Sequence, residues 1–447
     1  MVEELTVCSS AGRRMLLSQE MMTNARKIEE EFNKLEVVVE IVSNESSAIH
    51  VEKLRHTLSQ LRDIHGTLSN LANESVLDDI GLFEIKHFSL LNETARQCLS
   101  EVSCTVIDLP DLQHVFDMLD PEKQGIAHFY IYPAYSSELA GLRKRQQILL
   151  QTDPEQAEVL RYRCMLIEDS IRQHLSTRLL AEKAHLLNAL EQLAMADILF
   201  AKAIQAVNYH CCKPQTANKT TEYQGLFNPF IGEALQLQQK VFQPVDIRLD
   251  NSPCVITGAN MAGKTVLLKT VALSQYLFQF GFYIPAASAL VVPVDDILHS
   301  MGDEQSELSG LSSFASEMLK INHIVAQARA GQKLLALIDE PARTTNPEEG
   351  RAIVNALTFV LSKLEVRSLI TTHYSNITTV CRKLRVKGLV LDQLKDRITV
   401  ANINNYMDYT LLEHEADDVP LEALRIASIL GVDDELVEQA GRYLTQN

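Results

Sequence analysis

The segment from Gly258 to Thr265 has the residue types and spacing of a phosphate-binding loop. It fits the pattern GxxxxGK(S/T) between a predicted strand and a predicted helix from Thr265 to Phe280. Glycines let backbone N–H groups turn toward phosphate oxygens, and the helix start adds partial positive charge. Lys264 can reach the β- and γ-phosphates, and the Thr265 hydroxyl can bind Mg²⁺. The candidate nucleotide-binding residues are Gly258, Asn260, Gly263, Lys264 and Thr265.

Two adjacent carboxylates supply the other half of this chemistry. Asp339 and Glu340 directly follow the apolar run Leu335–Ile338, which is typical of a buried strand. Asp339 is the candidate Mg²⁺ ligand, and Glu340 is the candidate base that orients or deprotonates a water. His373 ends the next apolar run, where its side chain can face the γ-phosphate. Together these residues predict hydrolysis of ATP with Mg²⁺.

The elements that would position these residues fall into two regions. Residues 1–230 show apolar residues at helical spacing, and a polar loop from Lys213 to Gln224 closes this part. Residues 231–447 alternate short apolar runs with helices, which indicates a mainly parallel sheet covered on both faces. The predicted fold is therefore an α-helical lever domain followed by an α/β phosphate-loop ATPase domain with C-terminal helices. The predicted buried strands are Cys254–Thr257, Leu334–Ile338 and Ser368–Thr371.

Two further segments carry structural expectations. The aromatic run Phe129–Tyr132 is either a strand or a buried connector. The last two helices each carry an apolar stripe, and we expect them to pack on the ATPase core or on a second copy of the chain. The stripes are Leu421, Leu424, Ala427, Ile429 and Leu430, then Leu436, Val437, Ala440 and Leu444.

Composition limits the classes of function. The N-terminus lacks the pattern of a signal peptide, no apolar run is long enough to span a membrane, and eight scattered cysteines are typical of a reduced, cytoplasmic protein. His210, Cys211 and Cys212 have no second cluster that would complete a metal site. The net charge of −17 argues against DNA binding by the chain alone, although a dimer can gather its basic residues on one channel. The densest basic cluster, Arg143–Arg145, is typical of a solvated helix face.

These motifs resemble those of the MutS family of mismatch-repair and recombination ATPases. The loop differs from the family pattern mainly at Ala259, usually proline, and at Ala262, usually glycine or serine. The remaining resemblance covers the ATPase region end to end and the helical region more loosely. It rests on Tyr135–Leu139 with Leu142 and Arg143, Phe280–Ala286, Leu308–Phe314 with Glu317 and Met318, Thr371–Tyr374, and Ala423–Leu444.

The resemblance also implies what this chain lacks. Nothing before Arg13 leaves room for the family's mismatch-recognition and connector domains, and the helix start Thr265–Thr270 is most similar to paralogues without them. Those paralogues usually add a nuclease-like Smr domain, which this sequence does not contain. Where the family has a Gly-rich loop, this chain has Pro341–Pro347, so communication across a dimer at that loop is in question.

By this resemblance the working unit is a dimer, with homodimer and heterodimer both open. Ser312 and Ser313 would reach the partner's γ-phosphate, so that ATP closes the pair and drives the helical levers. Two functions remain. One is a DNA-associated motor of repair or recombination type without its own mismatch reader. The other is a chaperone-like ATPase that remodels a protein, because a MutS-like subfamily of similar design reactivates a cobalamin-dependent lysine aminomutase. A third alternative is a paralogue that has only a structural role.

Overall fold

The chain divides into two compact units. One contains Met1–Glu20 and Asn33–Val207, and the other contains Met21–Phe32 and Asn208–Asn447. None of the described helices is both long enough and apolar enough to cross a membrane. The structure is a computed structural model, and it describes residues 5–73, 75–125, 128–258, 263–301, 313–390, 406–413, 422–429 and 431–445.

Up to Asn208 the described residues form helices and their connections. Apolar side chains recur every three or four positions and are buried, as Leu82, Ile85 and Phe88 are in the fifth helix. This part confirms the helical region predicted from the sequence. The helices are α1 (Ser10–Leu17), α2 (Ala25–Ser43), α3 (Ala48–Ser59), α4 (His65–Ala72), α5 (Asp79–Glu101), α6 (Gln113–Leu119), α7 (Ser137–Thr152), α8 (Pro154–Ala181) and α9 (Lys183–Asn208).

The aromatic run Phe129–Tyr132 is a buried connector and not a strand. The Nζ of Lys86 donates a hydrogen bond to the Tyr132 hydroxyl at 2.8 Å and lies 3.1 Å from Oδ1 of Asp120. Both charged side chains are 1% exposed, and an unpaired buried charge is strongly unfavourable. The connector therefore completes a buried ion pair of the helical unit.

The second unit alternates strands and helices, as predicted. Its strands are β1 (Gln215–Thr216), β2 (Thr221–Leu226), β3 (Val245–Leu249), β4 (Pro253–Thr257), β5 (Ser288–Val291), β6 (Asp296–Ser300), β7 (Leu334–Asp339), β8 (Arg367–Thr372), β9 (Arg382–Leu389) and β10 (Met407–Glu413). Its helices are α10 (Pro229–Leu237), α11 (Lys264–Gln279), α12 (Ser313–Arg329), α13 (Pro347–Lys363), α14 (Glu422–Ile429) and α15 (Asp434–Thr445).

The larger sheet has the strand order β10-β9-β4-β8-β7-β6. Adjacent strands in this sheet are parallel, except that β10 runs antiparallel to β9 at one edge. Strands β4 and β8 are buried along their whole length, and β7 up to its last residue. Residues from α12 and α13 form a core with alternate residues of β7 and with Val255 of β4 and Ile370 of β8. Helix α11 also packs on β7 and β8. This sheet confirms the predicted parallel arrangement.

A second sheet was not predicted. Its order is β1-β5-β2-β3, and only the β1–β5 pair is parallel, so the sheets of this unit are mixed. The predicted polar loop Lys213–Gln224 was wrong, because β1 and most of β2 lie within it. Strand β2 buries Thr221, Tyr223 and Leu226 and turns its polar residues outward, so a half-buried strand has the composition of a loop.

Candidate functional site

Three neighbouring parallel strands deliver the candidate residues to one edge of the larger sheet. Thr257 of β4 pairs with Thr372 of β8, and Asp339 of β7 pairs with Thr371 of β8. Since parallel strands end at the same edge, the residues that follow them meet there. In open α/β sheets this edge is where ligands bind.

The two described glycines of the phosphate-loop motif have backbone angles that favour glycine. Gly258 follows β4 with φ of 148°, and Gly263 precedes α11 with φ of 71°. A Cβ on Gly263 would also lie 3.2 Å from the ring of Tyr409. Asn260 lies outside the described residues. The described ends of the motif thus bracket the N-terminus of α11, where an anion is favoured.

Lys264 is the buried cation at this edge. Its Nζ donates to the backbone oxygen of Gly258 at 2.7 Å and lies 3.2 Å from Oε1 of Glu340. The side chain is 3% exposed. If a phosphate oxygen replaced the Glu340 carboxylate beside Nζ, the buried ammonium of Lys264 would still be paired with a negative charge.

Asp339 accepts two hydroxyl hydrogen bonds. Thr265 donates to Oδ2 at 2.7 Å, and Thr371 donates to Oδ1 at 2.5 Å. The carboxylate and the Thr265 hydroxyl are hard oxygen donors, which Mg²⁺ prefers in sites that it shares with substrate phosphates. This donor set fits a magnesium ion.

Glu340 lies beside Lys264 at the end of β7. Its backbone N–H points at Thr371, with 3.1 Å to the carbonyl oxygen and 3.0 Å to the hydroxyl. Its Oε2 is 3.8 Å from Arg343 and 4.0 Å from Nδ1 of His373. The carboxylate therefore has three basic groups around it, Lys264, Arg343 and His373.

His373 is partly exposed, with 37% of its side chain accessible to solvent. Burial lowers its pKa from the ordinary value of 6.5, the Glu340 charge opposes this, and Lys264 and Arg343 lower the pKa further. The imidazole is consequently neutral at neutral pH. It can donate one hydrogen bond and accept another next to Glu340.

Sequence reasoning missed an apolar cavity of about 340 Å³ beside Lys264. Phe242 and Tyr409 line it with Leu235, Val266 and Leu267. The backbone N–H of Tyr409 donates to Gln243 at 2.9 Å. Such cavities suit a flat, mostly apolar ring. The two aromatic residues are distant from the phosphate loop in the chain, so no local pattern could have revealed them.

The candidate residues for contact with a partner's nucleotide are not placed. Ser312 lies outside the described residues, and Ser313 begins α12 with its side chain outside them. The residues brought together are Gly258, Gly263, Lys264, Thr265, Asp339, Glu340 and His373.

Comparisons with known proteins point to one family. The profile described as MutS domain V matches residues 254–446. Endonuclease MutS2 of Agathobacter rectalis is 32% identical over 285 residues, which are 62% of this chain and 34% of that protein. DNA mismatch repair protein MutS of Geobacillus kaustophilus is 24% identical over 311 residues, 68% of this chain and 32% of that protein. The matched part of the chain thus spans about a third of these curated relatives.

Proposed function

We propose that this chain, whose residues 254–446 match the profile of MutS domain V, is a MutS-family protein that binds and hydrolyses ATP with Mg²⁺ at the edge of the larger sheet. The observation that carries the proposal is the position of Lys264. Its buried Nζ lies between the start of the phosphate loop and Glu340, 2.7 Å from Gly258 and 3.2 Å from the carboxylate. In this position it can neutralise the β- and γ-phosphates of a nucleotide at the N-terminus of α11.

The other residues take roles that follow from their contacts. Thr265 and Asp339 would hold Mg²⁺, which neutralises charge on the phosphates when bound. Glu340 would accept a proton from, or orient, the water that attacks the γ-phosphate. The neutral His373 would donate a hydrogen bond near that phosphate. The cavity at Phe242 and Tyr409 would take the adenine ring.

We further propose that the chain works as a dimer whose composite sites drive lever motion. Ser312 and Ser313 would contact the partner's γ-phosphate, so ATP would favour the closed pair and hydrolysis would release it. The homodimer is the simpler form, because every copy carries both kinds of half-site, and two identical copies therefore complete two composite sites.

We propose that the lever motion of the dimer acts on DNA. Similar proteins carry the names "Endonuclease MutS2" and "DNA mismatch repair protein MutS", which supports a DNA-associated role of repair or recombination type. One observation favours a protein partner instead. Arg143 of the densest basic cluster is engaged by Glu168 at 2.8 Å and by the Ile131 oxygen at 2.6 Å. With the net charge of −17, this leaves less basic surface for phosphates. The alternative is remodelling of a protein partner, such as a cobalamin-dependent aminomutase.

Calorimetric titration with ATP and Mg²⁺ tests the nucleotide site. Lys264→Ala should abolish tight ATP binding while the protein keeps its circular dichroism. Lys269→Ala, at an exposed position of the same helix, is the matched control and should bind normally. Unchanged affinity in the folded Lys264→Ala protein would refute the site.

A further inference from the structure

The turn that follows β7 contains two residues in an unusual backbone conformation. Glu340 has φ of 46° and Ala342 has φ of 61°, although neither is glycine. Left-handed conformations are disfavoured for residues with a Cβ, and they persist only where the surrounding structure holds them. The segment from Pro341 to Pro347 contains no glycine, the residue that adopts this conformation without strain. Other contacts must therefore hold the turn.

Two side chains from other parts of the chain hold Ala342. Its N–H is 3.2 Å from each carboxylate oxygen of Glu317, which lies on α12. Its carbonyl oxygen accepts a hydrogen bond from the Tyr374 hydroxyl at 2.7 Å and a longer one from the Thr345 N–H at 3.2 Å. Ala342 itself is fully buried. Glu317 thus binds the backbone N–H of Ala342, and Tyr374 binds its carbonyl oxygen.

Tyr374 is itself tightly fixed. Its ring is buried, and its N–H donates to the Thr372 hydroxyl at 3.1 Å. A Cβ on Gly350 of α13 would collide with the Tyr374 hydroxyl and would come within 2.5 Å of ring carbon Cζ. Burial raises the pKa of Tyr374, and the charges of Glu317 and Glu340 raise it further, so the hydroxyl keeps its proton and remains a donor. Packing around the ring therefore fixes the Tyr374 hydroxyl next to the carbonyl oxygen of Ala342.

We propose that Tyr374 and Glu317 are positioning residues that hold the turn 340–342 and so aim the Glu340 carboxylate for hydrolysis. The inference rests on the proposed role of Glu340 as the base. On the other side of the turn, Thr371 holds the Glu340 N–H, so the direction of the carboxylate is fixed from both ends. Neither Tyr374 nor Glu317 needs to touch the nucleotide for this role.

The first measurement separates the catalytic rate from nucleotide binding. Tyr374→Phe keeps the ring and removes one hydrogen bond, so kcat should fall about fivefold to tenfold while ATP affinity stays unchanged. Glu317→Gln keeps one carbonyl acceptor and should give a smaller loss of kcat. A normal kcat in both variants would overturn the inference. So would a loss of ATP affinity equal to the loss of kcat.

Rescue by glycine is the sharper test. Glycine adopts the left-handed conformation without a clamp, so Ala342→Gly should restore much of the kcat lost in Tyr374→Phe. In single turnovers of a Glu340→Gln background, Tyr374→Phe should cause no further loss, because the group it aims is gone. A further loss there, or no rescue by glycine, would mean general damage and would overturn the inference. If Glu340→Gln itself hydrolyses ATP at the parent rate, the proposed base is wrong; if it is inactive and Tyr374→Phe is normal, only the positioning role fails.

Discussion

The hydroxyl of Thr265 donates a hydrogen bond to Oδ2 of Asp339 across 2.7 Å. The two residues are far apart in the sequence, one on the first turn of α11 and the other at the end of β7. Thr371 of β8 donates to the other carboxylate oxygen, so three elements meet at one carboxylate. This arrangement links the end of the phosphate-loop motif to the carboxylates at the end of β7, which are far from it in the sequence.

Glu340→Gln should keep ATP binding and slow hydrolysis strongly. Removing a general base typically costs about a hundredfold or more in rate. The amide cannot take a proton from water, yet it fills the same space beside Lys264. The variant should also accumulate the closed dimer in the presence of ATP. Steady-state release of phosphate measures the rate, and Glu349→Gln, an exposed glutamate on α13, is the control. Hydrolysis at the parent rate would show that another group activates the water.

Protonation of His373 should destabilise the protein as the pH falls. Its pKa in the folded protein lies below 6.5, because burial and then the charges of Lys264 and Arg343 outweigh the attraction of Glu340. Between that lowered pKa and 6.5 the unfolded chain binds more protons, so the free energy of unfolding decreases as the pH falls through this window. Above 6.5 the effect is absent.

Thermal midpoints of the parent and of His373→Gln, measured from pH 7.5 to 5.5, check this. The variant should lose less stability than the parent below pH 6.5. His323→Gln, at an exposed position of α12, is the control and should follow the parent. Parallel curves for parent and His373→Gln would contradict the direction of the shift.

The buried parallel strands could be predicted from the sequence because short, continuous apolar runs between helices are typical of strands that are covered on both faces. β4, β7 and β8 are examples, and the carboxylates at the end of β7 follow from that prediction. The smaller sheet was missed because its strands β2 and β3 alternate polar and apolar residues over only a few positions. A pattern of that length is shared with loops.

The role of Tyr409 could not have been predicted for a different reason. Its ring lies against Gly263 because β10 pairs with β9 and β9 pairs with β4. A contact of this kind depends on sheet order, which no local sequence pattern encodes. The left-handed conformation of Ala342 could not have been predicted either. The side chains that contact its backbone, Glu317 and Tyr374, come from distant parts of the chain.

We predict that the last two helices hold the dimer together. Helix α14 packs with α15, and α15 leaves Leu436 62% exposed and Tyr443 70% exposed. Exposed apolar side chains on one helix favour a partner surface. Of the residues in the predicted stripes, Leu421 and Leu430 lie outside the described residues. Deleting residues after Asp418 should convert the protein to a monomer in the absence of ATP.

Light scattering decides between a dimer contact and packing within one subunit. Leu436→Glu should weaken the dimer as the deletion does, whereas Ser428→Glu, at an exposed position of α14, should not. A deletion variant that remains dimeric without ATP would assign these helices to the subunit itself.

The final prediction concerns DNA. If the chain acts on DNA, its contacts should be phosphate contacts from the helical unit, so binding should fall steeply with salt and depend little on sequence. Because Arg143 is engaged by Glu168, the exposed Lys144 and Arg145 are the candidates of that cluster. Their double charge reversal to glutamate should weaken binding about equally for perfect and mismatched duplexes. The control is Arg13→Glu with Lys53→Glu, two exposed positions whose reversal changes the net charge equally.

Electrophoretic retardation of plain, mismatched and branched DNA provides the measurement, at low and physiological salt, with and without ATP. Equal weakening by both double variants would mean that overall charge, and not this cluster, governs binding. No binding of the parent protein to any of these DNAs at physiological salt would favour the protein-remodelling function. A clear preference for the mismatched duplex would require a base-reading element that neither Lys144 nor Arg145 supplies, because contacts to phosphates carry no direct sequence information.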